Sequence, residues 1–217
     1  MQPEDAWKTL FARAGGLLDG VAATVGQPIA WSFGGGTVLM LRLHHRRSKD
    51  IDIFLPDAQL LGLFNPRLSD RALALTSDYD EGAGHVKLFF PEGEIDFVVA
   101  EPLTSDPFEE ATVLGRKVLL ERSAEIIAKK FWHRGHLGSA RDLFDLAALF
   151  MGEPQAIAVA QPMLKRHAAA FLVQLGARRD VLFAEFEAID RLDFALGLDD
   201  CSAIAHEILG PLAAQNP

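Results

Sequence analysis

Two aspartates two residues apart, Asp50 and Asp52, open the apolar run IDIFL at the end of the stretch WSFGGGTVLMLRLHHRRSKDIDIFL, which spans Trp31 to Leu55. On an extended strand alternate side chains share a face, so these two carboxylates project together. Side by side they repel, which costs stability unless a cation lies between them. Mg²⁺ suits such a pair, because it is often held by one or two carboxylates together with substrate phosphates. Upstream stand three consecutive glycines, Gly34, Gly35 and Gly36. A glycine turn feeding a helix lets backbone N–H groups approach phosphate oxygens closely, and the positive end of the helix dipole favours them. One short segment thus offers a phosphate cradle and a metal clamp. A dinucleotide fingerprint is a poorer match, since Leu39 stands where a third small residue belongs and the acids arrive early and as a pair. A Walker-type loop would need Gly-Lys-Ser/Thr, absent at this turn.

These residues need elements to hold them. The pattern predicts an apolar strand over Ile29 to Phe33, a helix from Thr37 to about His45, and a second strand over Ile51 to Leu55. Residues 4 to about 24 read as a packing helix that Gly15-Gly16 weakens and Gln27-Pro28 ends. Pro56 to Thr76 reads as one or two helices broken near Asn65-Pro66, followed by a loop from Ser77 to Gly84. His85 to Phe90 and Glu94 to Val99 flank a Gly-containing turn, a hairpin signal. Asp96 sits inside the second of these runs. A carboxylate in an apolar strand is costly unless paired, hydrogen-bonded or bound to a metal, which makes Asp96 a candidate third acid. Alternation equally allows Glu94 and Asp96 to face solvent while Ile95 and Phe97 face the core. Residues 111–121 suggest two short strands around Leu114-Gly115-Arg116, and Ser123 reads as the N-cap of a helix reaching Arg134. Arg141 and Asp145, four apart on the next helix, could form a simple intrahelical ion pair. His133 and His136 stand at metal-pair spacing without a third ligand. From Glu153 onward the chain reads as helices with breaks near Gly152-Glu153-Pro154, Gln161-Pro162, Gly176, Leu192-Asp193 and Gly210-Pro211.

At 217 residues with a hydrophobic fraction of 49%, the chain can bury a real core. The formal charge of −9 argues against nonspecific binding to a nucleic acid backbone. A local basic cluster, Arg42, His44, His45, Arg46, Arg47 and Lys49, could still meet an RNA end or a triphosphate, or could be the solvated end of a helix. Cys201 is the one cysteine, which excludes an internal disulfide and fits a reducing compartment. The N-terminal stretch has no basic segment followed by an apolar core, and no apolar run approaches a membrane span. The reading is a soluble, cytoplasmic protein.

Gly35-Gly36-Thr37, a helix, then Arg47-Ser48-Lys49-Asp50-Ile51-Asp52 resembles the signature of the DNA polymerase β-type nucleotidyltransferase superfamily. Within it, the Gly-Gly-Thr turn and an Arg-x-Ser-x-Asp-x-Asp strand are most similar to the AbiEii/AbiGii-type toxin family. Downstream, Glu125-x-x-Ala128-x-Lys130 leading to Arg141-Asp142-x-x-Asp145-Leu146 resembles a second motif of that family. The resemblance implies an α+β fold, a mixed sheet flanked by helices over residues 1–122, followed by a helical bundle over 123–217 that completes the active cleft. It implies that Asp50, Asp52 and Asp96 hold Mg²⁺ or Mn²⁺, that Gly35, Gly36, Thr37, Arg47 and Ser48 bind the NTP, and that Lys130, Arg141 and Asp145 contact it or shape its pocket. It further implies transfer of a nucleotide from the NTP to a hydroxyl, with tRNA or another RNA among the acceptors, and a cognate antitoxin. A small-molecule nucleotidyltransferase of the antibiotic-modifying kind and a catalytically silent binding protein of the same fold are the competing readings.

Overall fold

The computed structural model describes residues 6–215. Its contacts divide it into two compact units. The first contains residues up to Val38, Ser48–Glu101 and Phe108–Glu121; the second contains Leu39–Arg47, Pro102–Pro107 and everything from Arg122 onward.

In the first unit α1 (Ala6–Val25) leads to β1 (Ser32–Gly34) and into α2 (Gly35–Leu43), which ends in the second unit; β2 (Ile51–Leu55) follows. Two single-turn helices, α3 (Leu61–Phe64) and α4 (Asp70–Leu73), precede β3 (Tyr79–Gly82), β4 (His85–Phe90), β5 (Gly93–Val99), β6 (Phe108–Val113) and β7 (Arg116–Glu121). The strands form one mixed sheet in the order β3-β4-β5-β2-β1-β7-β6. β1 lies parallel to β7 and β2 parallel to β5, and the remaining neighbours are antiparallel.

Alternation gives this sheet two unlike faces. Phe33, Ile51, Ile53, Leu55, Ile95 and Phe97 are fully buried, and α1 packs against β2 and β5, with Phe11 and Phe33 rings 5.0 Å apart. Burying side chains of this size contributes roughly 1.5–3 kcal/mol each, so this face fixes the register. The intervening residues, including Asp52, Glu94, Asp96 and Lys87, are half-buried on the opposite face. The strand turns Ile95 and Phe97 inward and Asp96 onto the opposite face, which also carries Asp52.

The second unit is helical: α5 (Ser123–Arg134), α6 (Ala140–Gly152), α7 (Pro154–Lys165), α8 (Ala168–Ala177), α9 (Arg179–Glu187) and α10 (Leu198–Ala214). Phe131 stacks on Phe171 at 4.8 Å, and Phe144 meets Phe186 at 5.5 Å and Phe194 at 5.1 Å.

Several local expectations need correction. The first strand is shorter and later than Ile29 to Phe33, and α2 begins at Gly35 rather than Thr37. The stretch expected as a loop from Ser77 to Gly84 contains β3, an edge strand whose Asp80, Glu81 and Gly82 are exposed; with no buried face it has no apolar alternation to betray it. The breaks expected at Gln161-Pro162 and Gly210-Pro211 are absent, since α7 and α10 run through them, whereas the one expected near Gly176 is present, α8 ending at Ala177 and α9 starting at Arg179. An interior proline costs a helix ~3 kcal/mol; in α7 the buried stripe Ala156, Ile157, Ala160 and Leu164 offsets it. Ser123 is the first helical residue rather than the cap, and its buried Oγ has no hydrogen-bond partner. Residues 4 and 5 of the expected first helix lie outside the described residues.

Candidate functional site

Gly35 shows how the two halves of the Trp31 to Leu55 stretch meet. Its φ of +72° is a left-handed conformation that favours glycine, and a side chain there would collide with the carboxylate of Asp52. Asp52 thus lies against the start of α2, where the first backbone N–H groups have no intrahelical partner. Thr37, one turn along, is fully buried. Its hydroxyl donates to the Asp50 carbonyl oxygen at 2.5 Å, which leaves Ser48 Oγ, 3.0 Å away, to donate to Thr37 Oγ1. The Thr37 side chain therefore ties α2 to the approach of the Asp-x-Asp strand.

Register fixes the acids. Asp52 is the direct partner of Asp96 across the parallel β2–β5 pair, and Asp96 is the partner of Lys87 on β4. Neighbouring strands lie about 4.8 Å apart, so Asp52 and Asp96 are adjacent on one face. Lys87 Nζ sits 2.7 Å from Glu94 Oε2 and 3.3 Å from Asp96 Oδ2. Asp96 Oδ1 is buried and has no hydrogen-bond partner. Burial pushes the Asp96 carboxyl above its ordinary range against the opposing pull of Lys87. Asp50 Oδ1 accepts from the Glu94 backbone N–H at 3.2 Å and lies where a side chain on Gly93 would go.

Asp52 and Asp96 fit a divalent metal of the kind that takes one or two carboxylates and completes its shell with phosphate and water. The orphaned Asp96 Oδ1 is the specific mark of that fit. Among the described residues no group of three or more His, Cys, Asp and Glu side chains stands in metal-holding geometry, so an all-protein cage is not formed.

Glu121 shares this face and was not anticipated. It is fully buried, accepts from Ser32 Oγ at 3.2 Å, and fills the space a side chain on Gly34 would need. Gly34 and Gly35 are thus each pressed by a carboxylate, Glu121 and Asp52. The signal in the sequence was an acid closing the apolar run Val118-Leu119-Leu120.

In the second unit a different set of charges is gathered. Asp145 is completely buried; Arg46 donates to it through Nε (2.6 Å to Oδ1) and Nη2 (2.9 Å to Oδ2). His45 Nε2 lies 2.8 Å from Oδ1 and Lys130 Nζ 3.0 Å from Oδ2. A carboxylate only accepts, so His45 carries its proton on Nε2, and its buried Nδ1 is without a partner. Lys130 also reaches Asp142 Oδ1 at 2.9 Å, and Asp142 receives Arg134 and the hydroxyl of its N-cap, Ser139. Burial alone would raise both carboxyls. Lys130 and Arg134 outweigh it at Asp142, and Arg46 and Lys130 outweigh it at Asp145, leaving both well below the usual carboxylate range.

The expected site residues therefore fall into two groups. Gly35, Gly36, Thr37, Ser48, Asp50, Asp52 and Asp96 belong to the first unit, whereas Arg47, Lys130, Arg141 and Asp145 belong to the second. Lys130 is buried between two aspartates rather than solvated. Arg141 is exposed and is not the partner of Asp145. Arg46 takes that place, and it stands two residues before Ser48, the arginine position of the Arg-x-Ser-x-Asp-x-Asp pattern. Nor is the basic cluster after α2 a free cationic patch. His44 pairs with Asp193, Arg47 with Asp190, and His45 and Arg46 with Asp145.

The family model for the nucleotidyl transferase AbiEii toxin of type IV toxin–antitoxin systems matches residues 16–207. Solved structures share the fold at low identity. A crystal structure of a proposed nucleotidyltransferase from H. pylori aligns over 99% of this chain and 96% of its own, with 15% identity and a TM-score of 0.56. MenT4, a nucleotidyltransferase toxin from Mycobacterium tuberculosis, aligns over 98% and 85%, with 18% identity and a TM-score of 0.54. No curated protein matches the chain.

Proposed function

Because the chain belongs to the AbiEii family of nucleotidyltransferase toxins, we propose that the polar face of its sheet moves a nucleoside monophosphate from an NTP to a hydroxyl acceptor. The observation that carries this reading is the buried, unpartnered Oδ1 of Asp96 beside Asp52, in register across two strands. Asp52 and Asp96 would hold Mg²⁺ or Mn²⁺, which when bound supplies positive charge to the triphosphate and the developing pyrophosphate. The backbone N–H groups of Gly35, Gly36 and Thr37, at the opening of α2, bind phosphate oxygens. The acceptor oxygen attacks the α-phosphorus, the bond to the bridging oxygen of the β-phosphate breaks, and pyrophosphate leaves with that electron pair. The acceptor proton passes to the Asp96 carboxylate. Asp50, held by the Glu94 N–H, and Thr37, held to the Asp50 carbonyl, keep the strand and the turn in place.

We take the acceptor to be an RNA end, tRNA included, and the protein to be the toxin of a pair with a cognate antitoxin, working in the cytoplasm where NTPs are. Among the described residues no helix is long and apolar enough to cross a membrane. The net charge of −9 is the observation that favours the second reading, a small-molecule acceptor. Incubating the protein with each α-labelled NTP, Mg²⁺ and either total RNA or a small-molecule extract separates them. Label is expected on RNA with pyrophosphate released; label on a small molecule selects the second reading. No transfer from any NTP to either pool overturns both.

A further inference from the structure

Three long stretches of this acidic chain contain no Asp or Glu, residues 20–49 and two in the helical unit. Residues 126–141 carry Lys129, Lys130, His133, Arg134, His136 and Arg141, and residues 154–179 carry Lys165, Arg166, His167, Arg178 and Arg179. Folding brings them together within the second unit: α5 packs along α7, and the single 3₁₀ turn at Gly135–Leu137 packs on α8. Where they meet, the Arg166 guanidinium lies 4.1 Å from the centroid of the Trp132 ring. Arg166 Nε donates to His167 Nε2 at 3.3 Å, and the His136 and His167 rings stand 5.2 Å apart. Gly135 makes room for this, since a side chain there would press on His167 Cβ. Trp132, His133, His136 and Arg166 are exposed.

Among the described residues no carboxylate pairs with Arg166, His133, His136 or His167. The groups feel one another instead. His167 is held below the ordinary imidazole range by burial, then by His136 and Arg166, and His133 by burial, then by Lys129 and Arg166. His167, whose Nε2 accepts from Arg166, is thus kept neutral, and the Arg166 charge stands without an acid to offset it. Elsewhere in this unit Arg47 pairs with Asp190, Arg178 with Glu185 and Arg179 with Asp199.

We propose that the corner formed by Trp132, His133, His136, Arg166 and His167 binds single-stranded nucleic acid, with Arg166 and the histidines on backbone phosphates and an unstacked base lying on the Arg166–Trp132 stack. Three observations select this occupant. The corner lacks any acid to compete for the cations. Arg presents a planar fork that matches phosphate oxygens while its flat face accepts a base. The Trp ring holds that plane ready, and aromatic–base stacking is the usual sequence-tolerant anchor for a single strand. An acidic protein segment would use the charge and leave the stack idle. The site deepens the proposed function by supplying a place for an RNA acceptor, but it stands on binding alone and needs neither NTP nor metal.

The test is fluorescence anisotropy of a labelled 12-nucleotide single-stranded RNA with the full-length protein, without NTP or metal, across about 50–200 mM salt. The wild type is expected to bind, weakening as salt rises. The double variant Arg166→Ala/His136→Ala is expected to raise Kd about tenfold and to flatten the salt dependence by about one unit of log–log slope for each phosphate it no longer neutralises. Arg166→Lys, which keeps the charge and removes the flat fork, is expected to fall between the two and guards against a folding defect in the double variant. Asp52→Asn should bind the RNA as the wild type does, so failure of the transfer chemistry and failure of this site are read separately. Absence of wild-type binding, equal binding by the double variant, or competition by a polyglutamate peptide as effective as that by unlabelled RNA would each overturn the proposal.

Discussion

The two units treat buried aspartates in opposite ways. On the sheet face Asp96 is shared with a lysine that also serves Glu94, and one of its oxygens has no partner. In the helical unit Asp142 and Asp145 are enclosed by Arg46, Lys130, Arg134, His45 and Ser139, with both oxygens of each occupied. The same side chain is pushed above its ordinary range in one place and far below it in the other. Where neutralisation is incomplete, a cation from outside has something to gain. Where it is complete, removing one member strands the rest.

The sharpest way to break this contrast is Asp145→Ala. It leaves Arg46 and Lys130 facing each other in the interior, and loss of one partner of a buried pair typically costs about 3–5 kcal/mol. Urea unfolding should show that loss, and a midpoint equal to wild type would remove the structural role given to the network. Asp52→Asn is its counterpart on the sheet face. Transfer should fall about a thousandfold, equivalent to ~4 kcal/mol in the barrier, while the unfolding midpoint stays level or rises through relief of repulsion. Activity within a fewfold of wild type would end the assignment.

Mg²⁺ with an NTP should next raise the thermal midpoint of the wild type, by an amount equivalent to about 2.7 kcal/mol at a hundred times Kd. The Asp52→Asn/Asp96→Asn protein should show no such rise, and one equal to wild type would place the metal elsewhere. The gentlest test is pH. Asp142 and Asp145 have folded-state pKa values held below the unfolded value of about 3.9, so on acidification the unfolded chain takes protons first. Their contribution is intact above about pH 4 and is lost progressively below it. Asp142→Asn should therefore be less stable at neutral pH and show a shallower acid limb, and parallel limbs would contradict the depressed pKa.

Much of the sheet unit was legible because its signals are local. The pairing of Asp50-x-Asp52 with a glycine turn, the hairpin over residues 85–99 and the alternation around Asp96 each lie within a few residues of one another. Glu121 and Arg46 were not legible. Each is defined by a partner far along the chain, Ser32 and Gly34 for one and Asp145 for the other. The prolines misled for the opposite reason. Pro162 and Pro211 carry a local preference that packing overrode, whereas Gly35 carries one that packing required.

By itself the sequence determined the family, the α+β order of elements and which carboxylates are candidates, because strand alternation and turn chemistry are properties of neighbouring residues. Only the tertiary structure decided that Asp52 stands in register with Asp96, that Lys130 and Asp145 are locked into a buried network, and that two acid-free stretches meet at Trp132 and Arg166. Those outcomes depend on strand register and helix packing, where groups distant in the chain enter a low-dielectric interior and either find a counter-charge or do not.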